Sequence, residues 1–340
     1  MSLPYILGCS RPELTKEERL FFNDNQPFGF ILFQRNCVSK TQVQELVYNL
    51  RDSVNHFAPI FIDQEGGRVQ RLKEPVWRNA PTSGSFGKIF EINEELAAQL
   101  VFQNARLIAE ELQVLGIDVN CAPVLDLLES NASDIIGDRA FSTNPHITSV
   151  LGRSFVAGLE NGGVAPVVKH IPGHGRAKVD SHLSLPKIDT ELKELKKRDF
   201  IPFVALNDAP AAMTGHLLFD KIDSRKPVTI SSHVIDTVIR DDIGFQGLLI
   251  SDDISMAALM GDLSSITKNV FLAGCDVVLH CNGNLDEMKK IVDKNQGFGV
   301  ASKKRANKFL IKLTELKKQR KAIDYVTMLN SFNQSFGDCL

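Results

Sequence analysis

Residues 247–253 read GLLISDD, a short apolar run that ends in two carboxylates. A run that is nearly continuous in apolar residues is typical of a strand covered on both faces. Burying a carboxylate is costly unless the group is hydrogen-bonded or used in function. The stretch therefore predicts a buried strand that delivers Asp252, and with it Asp253, to a polar rim.

Similar runs recur along the chain, and most are followed by a longer stretch with apolar residues three and four positions apart. Residues 42–54 and 95–115 are two such stretches, and each predicts a helix with one apolar stripe. This alternation is the βα signature. It gives eight predicted strands, at residues 5–9, 29–33, 59–63, 118–124, 165–170, 211–216, 248–252 and 276–280.

Eight parallel strands with outer helices bury every stripe by closing on themselves, so we expect an α/β fold of the (β/α)8 TIM-barrel type. An open doubly wound sheet is the alternative, but no Gly-rich phosphate loop follows the first strand. Because no linker divides the chain, we expect a single domain over residues 1–340. Residues 324–340 lack clear periodicity, and we expect a surface-packed C-terminal tail there.

The composition is that of an ordinary globular protein, with 24% charged residues and a net charge of −2. The basic run at residues 303–321 carries Phe309, Leu313 and Leu316 at helical spacing, which favours a helix with a solvated basic face over a nucleic-acid site. The six cysteines form no CxxC pair and are expected to be free thiols. No signal peptide or membrane span is evident, so we expect a cytoplasmic monomer without nucleic-acid or membrane partners.

The carboxyl ends of the strands form the functional face of a barrel. Four predicted strands end in chargeable residues, namely Asp63, Lys169-His170, His216 and Asp252-Asp253. A structural salt bridge explains one such carboxylate as well as catalysis does, but it explains the whole rim less well. Asp63 and the nearby Arg71 together offer the acceptors and forked donors that orient a polyhydroxylated ligand.

A polar loop at residues 171–186 follows the fifth predicted strand and contains Asp180-Ser181-His182. In extended backbone, residues two apart point to the same side, so this carboxylate can hold one ring nitrogen of the imidazole and leave the other free. Such a histidine suits a general acid/base, although an ordinary surface pair has the same spacing. Gly173 and Gly175 predict tight turning or hinging, and Arg176 is expected to be solvated.

The chain resembles the β-N-acetylglucosaminidases of glycoside hydrolase family three, particularly the single-domain bacterial enzymes of cell-wall recycling. The motifs that carry the resemblance are IDQEGGRVQR at residues 62–71, GDRAF at 137–141, KHIPGHG at 169–175, DSH at 180–182 and SDDISM at 251–256. They have the order and spacing of the family and span nearly the whole chain.

The resemblance implies a retaining exo-glycosidase with Asp252 as nucleophile and His182, supported by Asp180, as acid/base. The positions that match sugar-binding residues of the family are Asp63, Arg71, Arg139, Lys169 and His170. No metal or other cofactor is implied. The substrate implied is N-acetylglucosaminyl-1,6-anhydro-N-acetylmuramic acid, with or without its peptide.

Three other functions stay open at this point. A zinc-dependent barrel hydrolase would use ligands from His170, His174, His182, His216, Asp63 and Asp252, but the first predicted strand lacks the His-x-His of such enzymes known to us. A barrel that only binds sugar would lack a nucleophile and an acid/base, and the sequence has candidates for both. A phosphorylase is a closer rival, because a histidine acid/base does not repel attacking phosphate.

Overall fold

The computed structural model describes residues 2–129, 133–179, 184–293 and 296–339. Eight parallel strands form a closed barrel in which each strand pairs with its neighbours in chain order and the last pairs with the first. The predicted (β/α)8 fold is therefore confirmed. The strands are β1 (Leu3–Gly8), β2 (Pro27–Leu32), β3 (Ile60–Ile62), β4 (Val119–Asn120), β5 (Ala165–Ile171), β6 (Ala211–Thr214), β7 (Leu248–Asp253) and β8 (Val277–His280).

The helices connect these strands, and several begin at side chains that cap them. Ser39 accepts a hydrogen bond from the backbone N–H of Gln42, and Asn93 caps the next long helix in the same way, so both helices begin slightly earlier than the apolar stripes predicted. The helices are α1 (Lys16–Asn25), α2 (Lys40–Asp52), α3 (Ser83–Phe90), α4 (Glu94–Val114), α5 (Pro145–Asn161), α6 (Leu192–Lys197), α7 (Ile201–Ala205), α8 (Ser232–Val234, continued by the π-helical segment Ile235–Asp242), α9 (Leu263–Ala273), α10 (Leu285–Ile291), α11 (Val300–Gln319) and α12 (Tyr325–Gly337).

Strand β4 is much shorter than the predicted span of residues 118–124. Asp118 uses its side chain to accept from the backbone N–H of Ile60 at 2.8 Å, and Pro123 has no N–H to donate to a ladder. Val124 forms only an isolated bridge with Lys169. The apolar run therefore stays buried next to β5 while regular pairing ends early.

Helix α11 closes the amino end of the barrel. Its apolar side chains pack in one cluster with barrel residues, and the ring of Phe309 stacks on that of Phe61 with centroids 6.3 Å apart. The basic face predicted to be solvated is only partly so, because Arg305 and Lys317 bind the buried carboxylates of Asp276 and Asp118. These two carboxylates immediately precede β8 and β4, so they fasten the helix to the starts of strands.

The C-terminal segment, for which the sequence showed no clear periodicity, forms a regular helix, α12, that packs on α4. Tyr325, Met328, Leu329 and Phe332 are spaced three and four apart, which is the helical pattern, but polar residues between them dilute the signal. Phe332 is buried, and Phe336 lies with its ring centroid 5.3 Å from that of Phe86 in α3.

The six cysteines are free thiols, as predicted, and four of them are buried. Within the described part of the chain, no helix combines the length and the apolar character needed to cross a membrane.

We predict that Asp276→Ala strongly destabilises the protein. Asp276 accepts from Arg305 at 2.7 and 2.8 Å, from Arg240 at 3.2 Å and from the backbone N–H of Leu249 at 2.9 Å. Its removal leaves two guanidinium groups without their buried partner, and the free energy of unfolding in urea should fall by about 3–5 kcal/mol. Asp286→Ala is the control, because Asp286 is exposed and, among the described residues, forms one ion pair, with Lys289 at 3.3 Å. Equal losses in the two variants would contradict the assignment.

Candidate active site

A cavity of about 430 Å³ lies at the carboxyl ends of the barrel strands. Its charged lining comes from the ends of β3, β5 and β7 and from the segments that follow β3 and β4. The predicted site residues that line it are Asp63, Arg71, Arg139, Lys169, His170 and Asp252. The fold therefore brings together six side chains from four separate stretches of the sequence.

Lys169 is the centre of a buried ionic network at the floor of this cavity. Its ammonium lies 2.8 Å from Asp63 Oδ1 and 2.7 Å from Glu65 Oε1. Burial raises the pKa of both carboxyl groups, but the positive charges of Lys169 and the neighbouring arginines lower it by more. The pKa of Asp63 therefore lies well below its usual range, and the pKa of Glu65 falls to about 2. The same carboxylates raise the pKa of Lys169 despite its burial. All three groups are charged at neutral pH.

Two arginines complete the network. Arg139 donates to both oxygens of Glu65, from Nε and from one terminal nitrogen, each at 2.9 Å. Arg71 donates to Asp63 Oδ2 at 3.0 Å, and its guanidinium lies 4.7 Å from the centre of the Phe33 ring. Because every charge has a partner of opposite sign, the cavity keeps fixed donors and acceptors where few water molecules can screen them.

His170 lies beside a second buried carboxylate, Asp126, whose side chain is fully inaccessible. Asp126 Oδ2 is 2.6 Å from His170 Nδ1, and Asp126 Oδ1 accepts from the backbone N–H of His174 at 2.6 Å. Burial raises the pKa of the Asp126 carboxyl, but His170 and the other donors lower it below its ordinary value. Asp126 is therefore an ionised acceptor behind the cavity wall.

Asp252 is the penultimate residue of β7 and borders the cavity. Its Oδ1 accepts from the backbone N–H of Asp253 at 2.8 Å. Burial raises its pKa, but the nearby imidazoles, this N–H and Lys169 outweigh that effect and lower it. An ionised carboxylate at the edge of a cavity lined by charged hydrogen-bond donors and acceptors has the chemistry of a nucleophile.

The two histidines left open by the sequence have different surroundings. His216 is buried, with Nε2 2.9 Å from the carbonyl oxygen of Asp253 and Nδ1 2.8 Å from Thr229 Oγ1. Burial lowers the pKa of His216, and its two hydrogen bonds give it a structural role. His174 lines the cavity, and burial together with the neighbouring His170 lowers its pKa to about 4.

The zinc-dependent alternative requires its candidate ligands to be free to bind the metal, and two of them are engaged by other side chains. Asp63 is bound by Lys169 and Arg71, and His170 is bound by Asp126. Over the described ranges, no group of three or more His, Cys, Asp or Glu side chains has the arrangement of a metal site.

The polar loop after β5 is described up to Val179 and again from Ser184, and the predicted acid/base pair Asp180 and His182 lies outside the described residues. Gly173 has a φ of +134°, as expected for a tight turn. Gly175 packs so closely on the carbonyl of Leu127 that a side chain there would overlap it. Arg176 is not solvated as expected, because it binds Asp199 and Glu194 at 2.9 Å each.

Two residues of the site were not assigned a role from the sequence. Glu65 lies within the motif at residues 62–71. Its position in that motif gives no sign that its carboxylate binds Lys169 of β5. Asp126 interrupts the apolar run CAPVLDL at residues 121–127, and that lone carboxylate was the signal that it is buried and hydrogen-bonded.

Comparisons with known proteins identify the family of the chain. The family model described as the glycosyl hydrolase family 3 N terminal domain matches residues 7–307. A β-hexosaminidase of Idiomarina loihiensis is 35% identical over 324 residues, which is 93% of this chain and 96% of that protein. A β-hexosaminidase of Methylococcus capsulatus is 39% identical over 275 residues, 80% of each chain.

Solved structures give the same result. The native NagZ of Neisseria gonorrhoeae superposes with a TM-score of 0.85 at 30% identity, over 99% of this chain and 96% of that one. The same protein in complex with N-trifluoroacetyl-D-glucosamine gives an equal score and the same coverage.

The depressed pKa of Glu65 predicts a specific acid sensitivity. A carboxyl whose pKa is lower in the folded than in the unfolded protein contributes stability above its unfolded pKa, and that stability is lost as the pH falls towards the folded pKa of about 2. Between pH 5 and pH 3 this group should account for about 2 kcal/mol of the loss in unfolding free energy. Glu65→Gln should therefore lose less stability than the wild type over that interval in urea titrations. Parallel pH profiles for the two proteins would refute the prediction.

Proposed function

This chain belongs to glycosyl hydrolase family 3 and is a β-hexosaminidase, and from that premise we propose that it is a retaining exo-β-N-acetylglucosaminidase with Asp252 as nucleophile. The observation that carries the proposal is the ionised carboxylate of Asp252 at the end of β7, at the edge of a cavity whose other walls hold fixed charged donors and acceptors. Its substrate would be terminal β-linked N-acetylglucosamine on 1,6-anhydro-N-acetylmuramic acid, with or without the peptide.

In the first step, an oxygen of Asp252 forms a bond to the anomeric carbon as the bond from that carbon to the glycosidic oxygen breaks. His182, which the sequence places with Asp180 in the loop after β5, donates its proton to the leaving oxygen. In the second step the same imidazole takes a proton from water, and the water oxygen displaces Asp252 from the anomeric carbon. Two displacements return the sugar with its original β configuration.

The hydroxyl groups of the sugar would be held by Asp63, Arg71, Arg139, Lys169 and His170. Ion pairs use only part of the hydrogen-bonding capacity of these groups: Arg139 binds Glu65 and the carbonyl oxygen of Ile135, which leaves two of its five N–H donors. Asp63 likewise retains lone pairs beside its bonds to Lys169 and Arg71. The network supports the proposal because it fixes these groups before the sugar arrives, so little ordering remains to be done on binding.

The binding of N-trifluoroacetyl-D-glucosamine by the related Neisseria protein supports a 2-acetamido sugar at this site. The muramyl aglycone, the cytoplasmic location and the monomeric state stay predictions from the sequence.

The proposal predicts hydrolysis of 4-nitrophenyl N-acetyl-β-glucosaminide at a rate that does not depend on added phosphate. Asp252→Asn should reduce turnover to near background, because an amide is a poor nucleophile, whereas the matched control Asp52→Asn changes an exposed carboxylate and should be fully active. Release of 4-nitrophenol is the measurement, and proton NMR of the first sugar formed gives its configuration. Phosphate-dependent release of a sugar phosphate would show a phosphorylase instead.

His182→Ala should slow turnover by roughly 10²–10⁴-fold on substrates with a poor leaving group. The loss should be smaller on 4-nitrophenyl glycosides, because 4-nitrophenolate leaves with little protonation. The ratio kcat/KM for a series of aryl glycosides of graded leaving-group pKa measures the difference. Equal losses across the series would rule out His182 as the acid.

A further inference from the structure

Asp126 accepts hydrogen bonds from the side chain and backbone of a single turn of chain. Its Oδ1 accepts from the backbone N–H of His174 at 2.6 Å and from that of His170 at 3.2 Å. Its Oδ2 lies 2.6 Å from His170 Nδ1. The motif at residues 169–175 is thereby tied, at both histidines, to the segment that follows β4.

We propose that Asp126 is a positioning residue that fixes the hydrogen of His170 on Nδ1 and turns Nε2 towards the bound sugar as an acceptor. A carboxylate only accepts hydrogen bonds, so the short contact at Nδ1 requires that this nitrogen carries the hydrogen. Among the described residues, His170 Nε2 has no hydrogen-bond partner. It is not one of the fully buried polar atoms, so part of its surface is exposed. Since His170 lines the cavity, Nε2 is accessible from it.

The consequence for recognition is a division of roles on the cavity wall. Lys169, Arg71 and Arg139 are donors only, whereas a neutral imidazole with hydrogen on Nδ1 offers an acceptor. A sugar hydroxyl that accepts from a cationic side chain can donate its own hydrogen to His170 Nε2. This inference rests on the proposed function, because it assumes that the cavity holds a sugar.

An amide at position 126 cannot replace the carboxylate. Asn has one acceptor oxygen, while the three donors that meet Asp126 approach both of its oxygens. If the amide oxygen serves the two backbone N–H groups, the NH2 group faces His170 Nδ1. The imidazole then satisfies it only by moving its hydrogen to Nε2, which turns the acceptor towards the cavity into a donor.

The experiment compares wild type, Asp126→Asn and a control, Asp199→Asn, by two-bond proton–nitrogen NMR of the imidazole rings at mildly alkaline pH. Asp199 is also a buried carboxylate, and it holds Arg176 in the same loop without contacting His170. The chain has eight histidines, so the signals of His170 are assigned by their loss in His170→Asn. Wild type and Asp199→Asn should show hydrogen on Nδ1, and Asp126→Asn should show it on Nε2.

The wild-type spectrum alone tests the proposal, so a variant that does not fold leaves it falsifiable. A wild-type His170 with hydrogen on Nε2, or one whose tautomer does not change in a folded Asp126→Asn, would overturn it. Binding of N-acetylglucosamine, followed by competition in the glycosidase assay or by calorimetry, should weaken about tenfold in Asp126→Asn and stay unchanged in Asp199→Asn. Absence of glycosidase activity in the wild type would refute the proposed function, but the tautomer measurement would be unaffected.

Discussion

The buried ammonium of Lys169, shared between Asp63 and Glu65, is the interaction on which the candidate site depends. Three strong charges lie within about one side-chain length of each other in a place that excludes most water, and they are tolerated only because their signs alternate. Arg71 and Arg139 extend the alternation on either side. Removing Lys169 would leave Asp63 and Glu65 each with a single arginine partner, so the geometry of the proposed sugar-binding groups and the stability of this end of the barrel have the same origin.

The sequence was informative wherever a local pattern has a single physical solution. The apolar runs that became β5 and β7 are continuous, and their polar ends gave Lys169, His170 and Asp252 directly. Helix α2 and helix α4 were found from their stripes, with small errors at the starts because capping by Ser39 and Asn93 is decided by one side chain. The end of the third predicted strand gave Asp63, with Arg71 close behind it, and the family motifs then added Arg139, whose role depends on neighbours that periodicity does not reveal.

The sequence was less informative where a residue serves a distant partner. Glu65 and Asp126 have their roles because β3, β4 and β5 adjoin one another in the closed sheet, and no spacing along the chain encodes that contact. The same reason explains α11. Its apolar face was visible in the sequence, but only closure of the barrel creates the opening that this face covers, and only there do Arg305 and Lys317 meet buried aspartates.

Because α11 lies at the amino end of the barrel, substitutions at the two ends affect different properties of the protein. At the amino end, α11 and its ion pairs hold the strands together far from the reacting bond. Substitutions there therefore change the stability of the fold. At the carboxyl end, substitutions act on chemistry and on the choice of substrate. Substitutions in α11 can therefore raise the thermal stability of this protein, and substitutions at the opposite end of the barrel can alter its specificity. Because the two sets are far apart, their effects should be additive.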